Sequence, residues 1–225
     1  MTNIALAQEL FQLFKKHGQD LYLVGGSVRD YLLTGDFQDF DFASPAKKET
    51  ILKILNTDDY DPFSFKYGSI KTHYQGKEIV ITTFRLESAY KDYRHPSSLI
   101  FTTNIQEDAE RRDFTINALY LDAEEKIHDF YQGQEDLRKG IIRCIGSADQ
   151  RIKEDPVRIL RALRFALKFD FKLDKVLETA IKNNKHLLQK ISPYRLKIEM
   201  DKLKESASLE SIREIFARYE LSLEI

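Results

Sequence analysis

Between Leu21 and Asp41 the sequence LYLVGGSVRDYLLTGDFQDFD brings together a glycine pair, an arginine and two alternating carboxylates. Leu21 to Val24 are apolar and short enough for a buried strand, after which Gly25-Gly26 let the backbone turn sharply and approach a ligand. Val28 to Leu33 continue with helical spacing, so the N–H groups of the helix's first turn point where the glycines approach. That is an anion site, and Arg29 adds a fixed charge to it. After Gly35 comes Asp39-Phe40-Asp41. In a strand alternate residues share a face, so both carboxylates project together while Phe40 goes to the other side. Two carboxylates on one pleat, opposite a phosphate cradle, suit a divalent metal held between protein and nucleotide phosphates. A glycine pair or an Asp-x-Asp alone would mark only a turn or a solvated strand end. The joint spacing, with Asp39 ten residues after Arg29, is what points to a site.

The elements that must hold these residues follow from periodicity and turn chemistry. Residues 3–17 form an amphipathic helix ending at His17-Gly18, and a second helix runs from Ser44-Pro45 to about Leu55, followed by a turn through Asp58 to Pro62. Strands at Ser69 to Tyr74 and Glu78 to Phe84, joined at Gln75-Gly76, are expected beside the strand bearing Asp39 and Asp41. Residues 85–104 are polar, aromatic and broken by Pro96, which reads as a mobile loop and then a strand. In Asp108 to Ala118, DAERRDFTINA, the adjacent Arg111 and Arg112 are not expected to share a helical face. Asp113 can accept hydrogen bonds from a ribose or orient an arginine. A strand pair about Glu124-Glu125 precedes a turn at Asp129 to Gly133. From Asp149 the pattern is helical throughout. Glu154-Asp155-Pro156-Val157-Arg158 is expected to start a helix on which Asp155, Arg158, Arg161 and Arg164 form a slowly rotating stripe, backed by Ile159, Leu160, Leu163, Ala166 and Leu167.

Composition bounds the function classes. The 225 residues, 42% hydrophobic and 32% charged, are enough for one large or two small domains with a solvated surface. Neither a membrane-length apolar run nor a signal-peptide pattern is present, so a cytoplasmic protein without membrane contact is expected. The single Cys144 has no metal-spaced neighbours and reads as a small core residue. A net charge of −1 is not that of a global nucleic-acid binder, so RNA contact needs a local patch. The candidate is Arg151 to Lys172, with seven basic residues against Glu154, Asp155 and Asp170.

Gly25-Gly26-Ser27-Val28-Arg29-Asp30, then Asp39-Phe40-Asp41, Asp108 to Ala118 and Glu154-Asp155 with Arg158, resemble in order the signature blocks of the class II tRNA nucleotidyltransferases, the CCA-adding enzymes, and of the similar bacterial poly(A) polymerases. The resemblance covers nearly the whole chain. It implies an α+β fold: a polymerase-β-like nucleotidyltransferase head with a mixed sheet, residues 1–146, joined to an all-helical neck, residues 147–225. The hinge between them would lie near Gln132-Gly133, where the family often has two glycines, and the boundary near Gly146. It further implies CCA addition to the 3′ end of tRNA from CTP and ATP. Asp39 and Asp41 would hold Mg²⁺, while Gly25, Gly26, Arg29 and Arg112 would hold the triphosphate, with Asp113 beside the sugar. Asp155 and Arg158 would read the base edge, and Arg161 and Arg164 would serve phosphates or the primer end. A carboxylate accepts from the exocyclic amine that C and A share and G and U do not present.

Several positions depart from the family pattern. Val80 stands where a glutamate usually opens the strand, and Glu78 on the same face lies roughly 7 Å away, a poor direct replacement; either a third acid of the metal site has been lost or, the favoured reading, two carboxylates suffice for a reaction that leans on positioning and charge neutralisation. Asp92-Tyr93-Arg94-His95-Pro96 matches a loop associated with switching to ATP and favours a chain able to add A. Tyr194 stands where glutamate is usual. Arg195 and Glu199 are expected to brace the helices rather than touch substrate. The helical body and tail of the family are absent from the chain, which reads as head and neck of a longer enzyme or as a short relative. Nothing in the sequence specifies an oligomeric state. A poly(A) polymerase and a truncated, non-catalytic RNA- or nucleotide-binding module are the alternatives.

Overall fold

The computed structural model describes residues 2–87 and 99–221. The chain divides into two compact units, one of residues 2–87, 99–112 and 116–134, the other of 113–115 and 135–221.

The first unit opens with α1 (Asn3–Lys16), whose apolar stripe buries Leu6, Ala7, Leu10, Phe11 and Phe14. There follow β1 (Tyr22–Val24), α2 (Gly26–Thr34), β2 (Phe40–Ser44), α3 (Lys48–Leu55), α4 (Pro62–Lys66), β3 (Ser69–Tyr74), β4 (Lys77–Thr83), β5 (Arg85–Glu87), β6 (Leu99–Phe101), α5 (Ile105–Glu110), β7 (Leu119–Leu121) and β8 (Ile127–Asp129). Six strands form one mixed sheet in the order β3-β4-β2-β1-β7-β8. Within it β2 and β4 run parallel and the other neighbours antiparallel. The buried rings of Phe40 and Phe42 anchor β2, Phe42 meeting Phe11 of α1 edge-on at 6.0 Å.

The expected β3–β4 hairpin forms, with Gln75 and Gly76 both at positive φ as a tight two-residue turn requires. The helix after β2 begins at Lys48 rather than at Ser44-Pro45, because Ser44 stays in the ladder opposite Thr83. Asp61-Pro62 starts a helix instead of closing a turn: Asp61 accepts from the N–H groups of Phe63 and Ser64, and proline is tolerated at the first helical position. β5 and β6 pair on either side of the segment containing Asp92 to Pro96, which lies outside the described residues.

The second unit contains α6 (Gly133–Lys139, from Glu135 on), β9 (Ile141–Ile142), α7 (Ala148–Glu154), α8 (Val157–Phe169), β10 (Lys172–Leu173), α9 (Lys175–Asn184), a 3-10 turn at Lys185–Lys190, α10 (Pro193–Ser206) and α11 (Leu209–Arg218). It is helical apart from the two-residue parallel pair of β9 and β10. That pairing is why residues 135–146 pack with this unit, ahead of the boundary expected near Gly146. Glu154 ends α7 and Val157 begins α8, so the single helix start expected at Glu154 to Arg158 is a break between two helices, with Asp155 extended between them. Buried Val157, Ile159, Leu160, Leu163, Phe165 and Ala166 form the core side of α8. Among the described residues no helix is long and apolar enough to cross a membrane.

At the end of β8 the Asp129 carboxylate accepts from the N–H groups of Tyr131, Gly133 and Gln134, and Gln132 adopts φ 63°, a conformation that favours glycine. Asp129→Ala leaves those donors to water and should cost about 1–3 kcal/mol, read as a lowered denaturant midpoint at unchanged slope.

Candidate functional site

The glycine pair is built as the sequence implies. Gly25 turns the chain at φ 67° and donates its N–H to the Leu119 carbonyl at 3.2 Å, and α2 begins at the next residue. A Cβ on Gly25 would lie 3.0 Å from Nη1 of Arg112, so glycine is required there by the backbone and by the guanidinium together. Arg29 is buried beneath the same turn. Its Nη1 donates to the Asn117 side chain at 2.6 Å and its Nε to Asp30 at 2.8 Å. Its charge therefore reinforces the positive end of α2 from inside the fold.

Arg112 is held by two partners that the spacing alone does not reveal. Its Nε donates to the Tyr120 hydroxyl at 2.8 Å, and that hydroxyl donates to Asp108 at 2.6 Å. Arg111 also reaches Asp108, at 2.9 Å, and Arg112 at 3.4 Å, so the two arginines converge where a separation was expected. The reason is that residues three and four beyond Asp108 both face it. Burial pushes the wholly buried Asp108 carboxyl up, yet Arg111, Arg112 and Tyr120 bring it down to about 2. Tyr120 is held above its ordinary value, first by burial.

Asp39 is exposed just before β2, Asp41 is half-buried within it, and Phe40 is buried between them. The Asp41 carboxyl is raised, first by burial and then by the charge of Asp39, with Arg112 opposing and Glu78 adding to the rise. Neither carboxylate has an ion pair among the described residues. On the neighbouring strand Val80 stands directly opposite Asp41. Glu78, one pleat away on the same strand, is paired with Lys71 at 2.9 Å. Among the described residues no three or more metal-ligating side chains come together. Two mutually repelling carboxylates without a cation nonetheless fit a hard divalent ion that keeps waters and substrate phosphates as its other ligands.

In the second unit the acidic and basic candidates are paired with one another. Asp113 accepts from Nε of Arg161 at 2.8 Å, orienting an arginine. Both Asp155 oxygens accept from Nη2 of Arg195, at 3.0 and 2.8 Å, and Oδ1 also accepts from the Val157 N–H. Arg158 is buried, its Nη1 on the Arg151 carbonyl and on Glu154 at 3.2 Å. Arg161 and Arg164 meet the buried Glu199 at 3.8 and 3.3 Å. Arg195 and Glu199 thus do brace the helices, each through a residue of the α8 stripe or its approach. The basic surplus between Arg151 and Lys172 is not an open patch, because Asp113, Asp149 and Glu199 fold back onto it from outside the segment. Cys144 is buried and its thiol is pushed up to about 12, in keeping with a core residue. Sequence reasoning did not single out Ser27, Asp108 or Tyr120 as site partners. For Tyr120 the sequence carries no signal beyond an aromatic in a strand.

Comparison with known proteins bears on both units. Residues 21–143 match the family described as "Poly A polymerase head domain", and residues 170–215 match "Probable RNA and SrmB-binding site of polymerase A". The CCA-adding enzyme of Lactobacillus helveticus is 39% identical over 97% of this chain and 54% of its own length. The Bacillus stearothermophilus CCA-adding enzyme in complex with CTP superposes with a TM-score of 0.78 at 37% identity, over 88% of this chain and 47% of that one. The Thermotoga maritima CCA-adding enzyme complexed with tRNA-CCA gives 0.76 at 28% identity, over 96% and 50%. The chain spans about half the length of the curated relatives it matches.

Two outcomes follow from the geometry. Gly25→Ala should destabilise by about 1–3 kcal/mol through its positive φ and the crowded guanidinium, whereas Gly26→Ala, in helical conformation with Arg29 Nη2 3.4 Å away, should unfold near the wild type. Asp41→Asn should raise the melting temperature at neutral pH. With its pKa raised in the folded state, ionised Asp41 opposes folding above that value, so the gain should shrink as pH falls toward the ordinary carboxylate range.

Proposed function

The chain belongs to the poly(A) polymerase head-domain family, and on that premise we propose that it is a tRNA nucleotidyltransferase, adding C, C and A to a tRNA 3′ end from CTP and ATP with release of pyrophosphate. The observation that carries the reading is the pair of Asp39 and Asp41, neither of them ion-paired among the described residues, beside a helix N-terminus over which Arg112 is fixed. Relatives named CCA-adding enzymes, one bound to CTP and one to tRNA, support the choice of substrates.

In this reading the first unit is the catalytic head. The N–H groups of the first turn of α2 and the Arg112 guanidinium bind the triphosphate, and Gly25 and Gly26 give it access to the backbone. Arg29 acts from beneath the turn and contributes charge rather than direct contact. Asp39 and Asp41 would hold Mg²⁺, which would supply a lowered pKa for the attacking 3′-hydroxyl and charge neutralisation for the leaving phosphates. In the second unit, the neck, Asp155 accepts from the amine of cytosine or adenine and Arg158 donates to the ring edge. Asp155 is already braced by Arg195, so a base without that amine forfeits one hydrogen bond to the carboxylate, and a site built to receive that bond disfavours it. Asp113 steadies Arg161, and Glu199 steadies Arg161 and Arg164, so these arginines present charge in a fixed direction. With tRNA and nucleoside triphosphates as substrates, the protein acts in the cytoplasm.

The test is incorporation of labelled CTP and ATP, separately and together with Mg²⁺, on a tRNA lacking its terminal CCA. Ordered addition of C, C and A, reduced at least ~100-fold in Asp41→Ala, is the expected result. Addition of A alone to unrelated RNA primers would make the chain a polyadenylating enzyme. Equal incorporation by wild type and Asp41→Ala would remove the catalytic assignment.

A further inference from the structure

We infer that Ser27 is a positioning residue for the Asp39 and Asp41 carboxylates, its hydroxyl replacing the strand pairing that β1 gives up where it leaves the sheet. The inference rests on the reading of those carboxylates as the metal-holding pair. β1 and β2 pair through Tyr22 with Ala43 and Leu23 with Phe42, and the register stops there. At Gly25 the chain turns out of the sheet to begin α2, so the β1 pairing does not reach Asp41 or Asp39. Their inward backbone groups still need partners, since a buried carbonyl or N–H has no water to fall back on.

Ser27 supplies both. Its Oγ donates to the Asp39 carbonyl at 2.7 Å and accepts from the Asp41 N–H at 3.2 Å, and the residue is buried at 1% exposure. A hydroxyl can do this because it is donor and acceptor at one atom. The same atom lies in the first turn of α2, so it also fixes how far the helix's free N–H groups stand from the two carboxylates. Divalent-metal distances tolerate only a few tenths of an ångström, and the backbone that carries the carboxylates sets their spacing. Ser27 therefore acts on metal through Asp39 and Asp41 without touching it.

β2 provides its own control. At its far end Ser44 makes the same pair of bonds, donating to the Asp20 carbonyl at 2.6 Å and accepting from the Ala46 N–H at 3.1 Å, and is wholly buried. Removing either hydroxyl disturbs the fold in the same way, but only one of them adjoins the carboxylates.

The experiment measures binding of Mn²⁺ alone by electron paramagnetic resonance, with thermal unfolding alongside, for the wild type, Ser27→Ala, Ser44→Ala and Asp41→Ala. Ser27→Ala should weaken Mn²⁺ binding about 10-fold, as loss of a group orienting a metal ligand does. Ser44→Ala should lose comparable thermal stability and bind Mn²⁺ as the wild type does. Should Ser27→Ala fail to fold, Ser27→Cys, which keeps the bulk but bonds weakly, is held to the same expectation. Wild-type Mn²⁺ affinity in the Ser27 variant, or equal weakening in Ser44→Ala, overturns the inference while leaving the carboxylate site intact. Undiminished binding in Asp41→Ala refutes the metal site itself, and the inference falls with it.

Discussion

The pairing between β1 and β2 lasts for two residue pairs before β1 turns out of the sheet at Gly25. Every feature of the first unit's candidate site depends on that early departure. It opens the side of β2 on which Asp39 and Asp41 lie, it frees the first N–H groups of α2, and it leaves a gap above Gly25 that the Arg112 guanidinium fills. Had β1 continued, its own ladder would have covered the carboxylates' backbone and no helix N-terminus would face them. A positive-φ turn at one glycine thus sets a helix N-terminus and an arginine beside two carboxylates at the end of a strand.

Both units solve the problem of aiming arginines in the same way. In the first, buried Asp108 gathers Arg111 and Arg112, and in the second, buried Glu199 gathers Arg161 and Arg164. Buried ion pairs contribute little net stability, because desolvation offsets most of the attraction. What they give is direction: a guanidinium with one edge bonded inward has only its other edge to offer. Tyr120 refines this in the first unit by bonding Arg112 and Asp108 at once.

The local chemistry was legible in the sequence and the long-range chemistry was not. The strand, glycine turn and helix around Gly25 and the hairpin at Gln75-Gly76 are set by neighbours within a few residues and formed as read, while Phe40 is buried between Asp39 and Asp41 although Asp39 lies just before β2 rather than within it. The pairing of the Val80 strand with the Asp41 strand also formed as read. The basic stretch from Arg151 to Lys172 looked open because its neutralising acids, Asp113 and Glu199, are about forty residues away from it in either direction at the arginines they meet. The break at Asp155 was hidden for a related reason. Acid and proline mark a helix start equally well whether a loop or another helix comes before. Asp61-Pro62 shows the converse, a helix start that resembles a turn because the helix is only five residues long.

The brace on Asp155 limits what that residue can ask of a base. An ionised carboxylate offers about four lone-pair positions. Oδ1 spends two, on Arg195 and on the Val157 N–H, and Oδ2 spends one on Arg195. Among the described contacts a single position on Oδ2 is left, which on the proposed function is room for one hydrogen of one amine. On the proposed function such a reader would return one bit: amine present or amine absent. It would admit cytosine and adenine alike, which would put the choice between them, and hence the order of the product sequence, somewhere other than in Asp155.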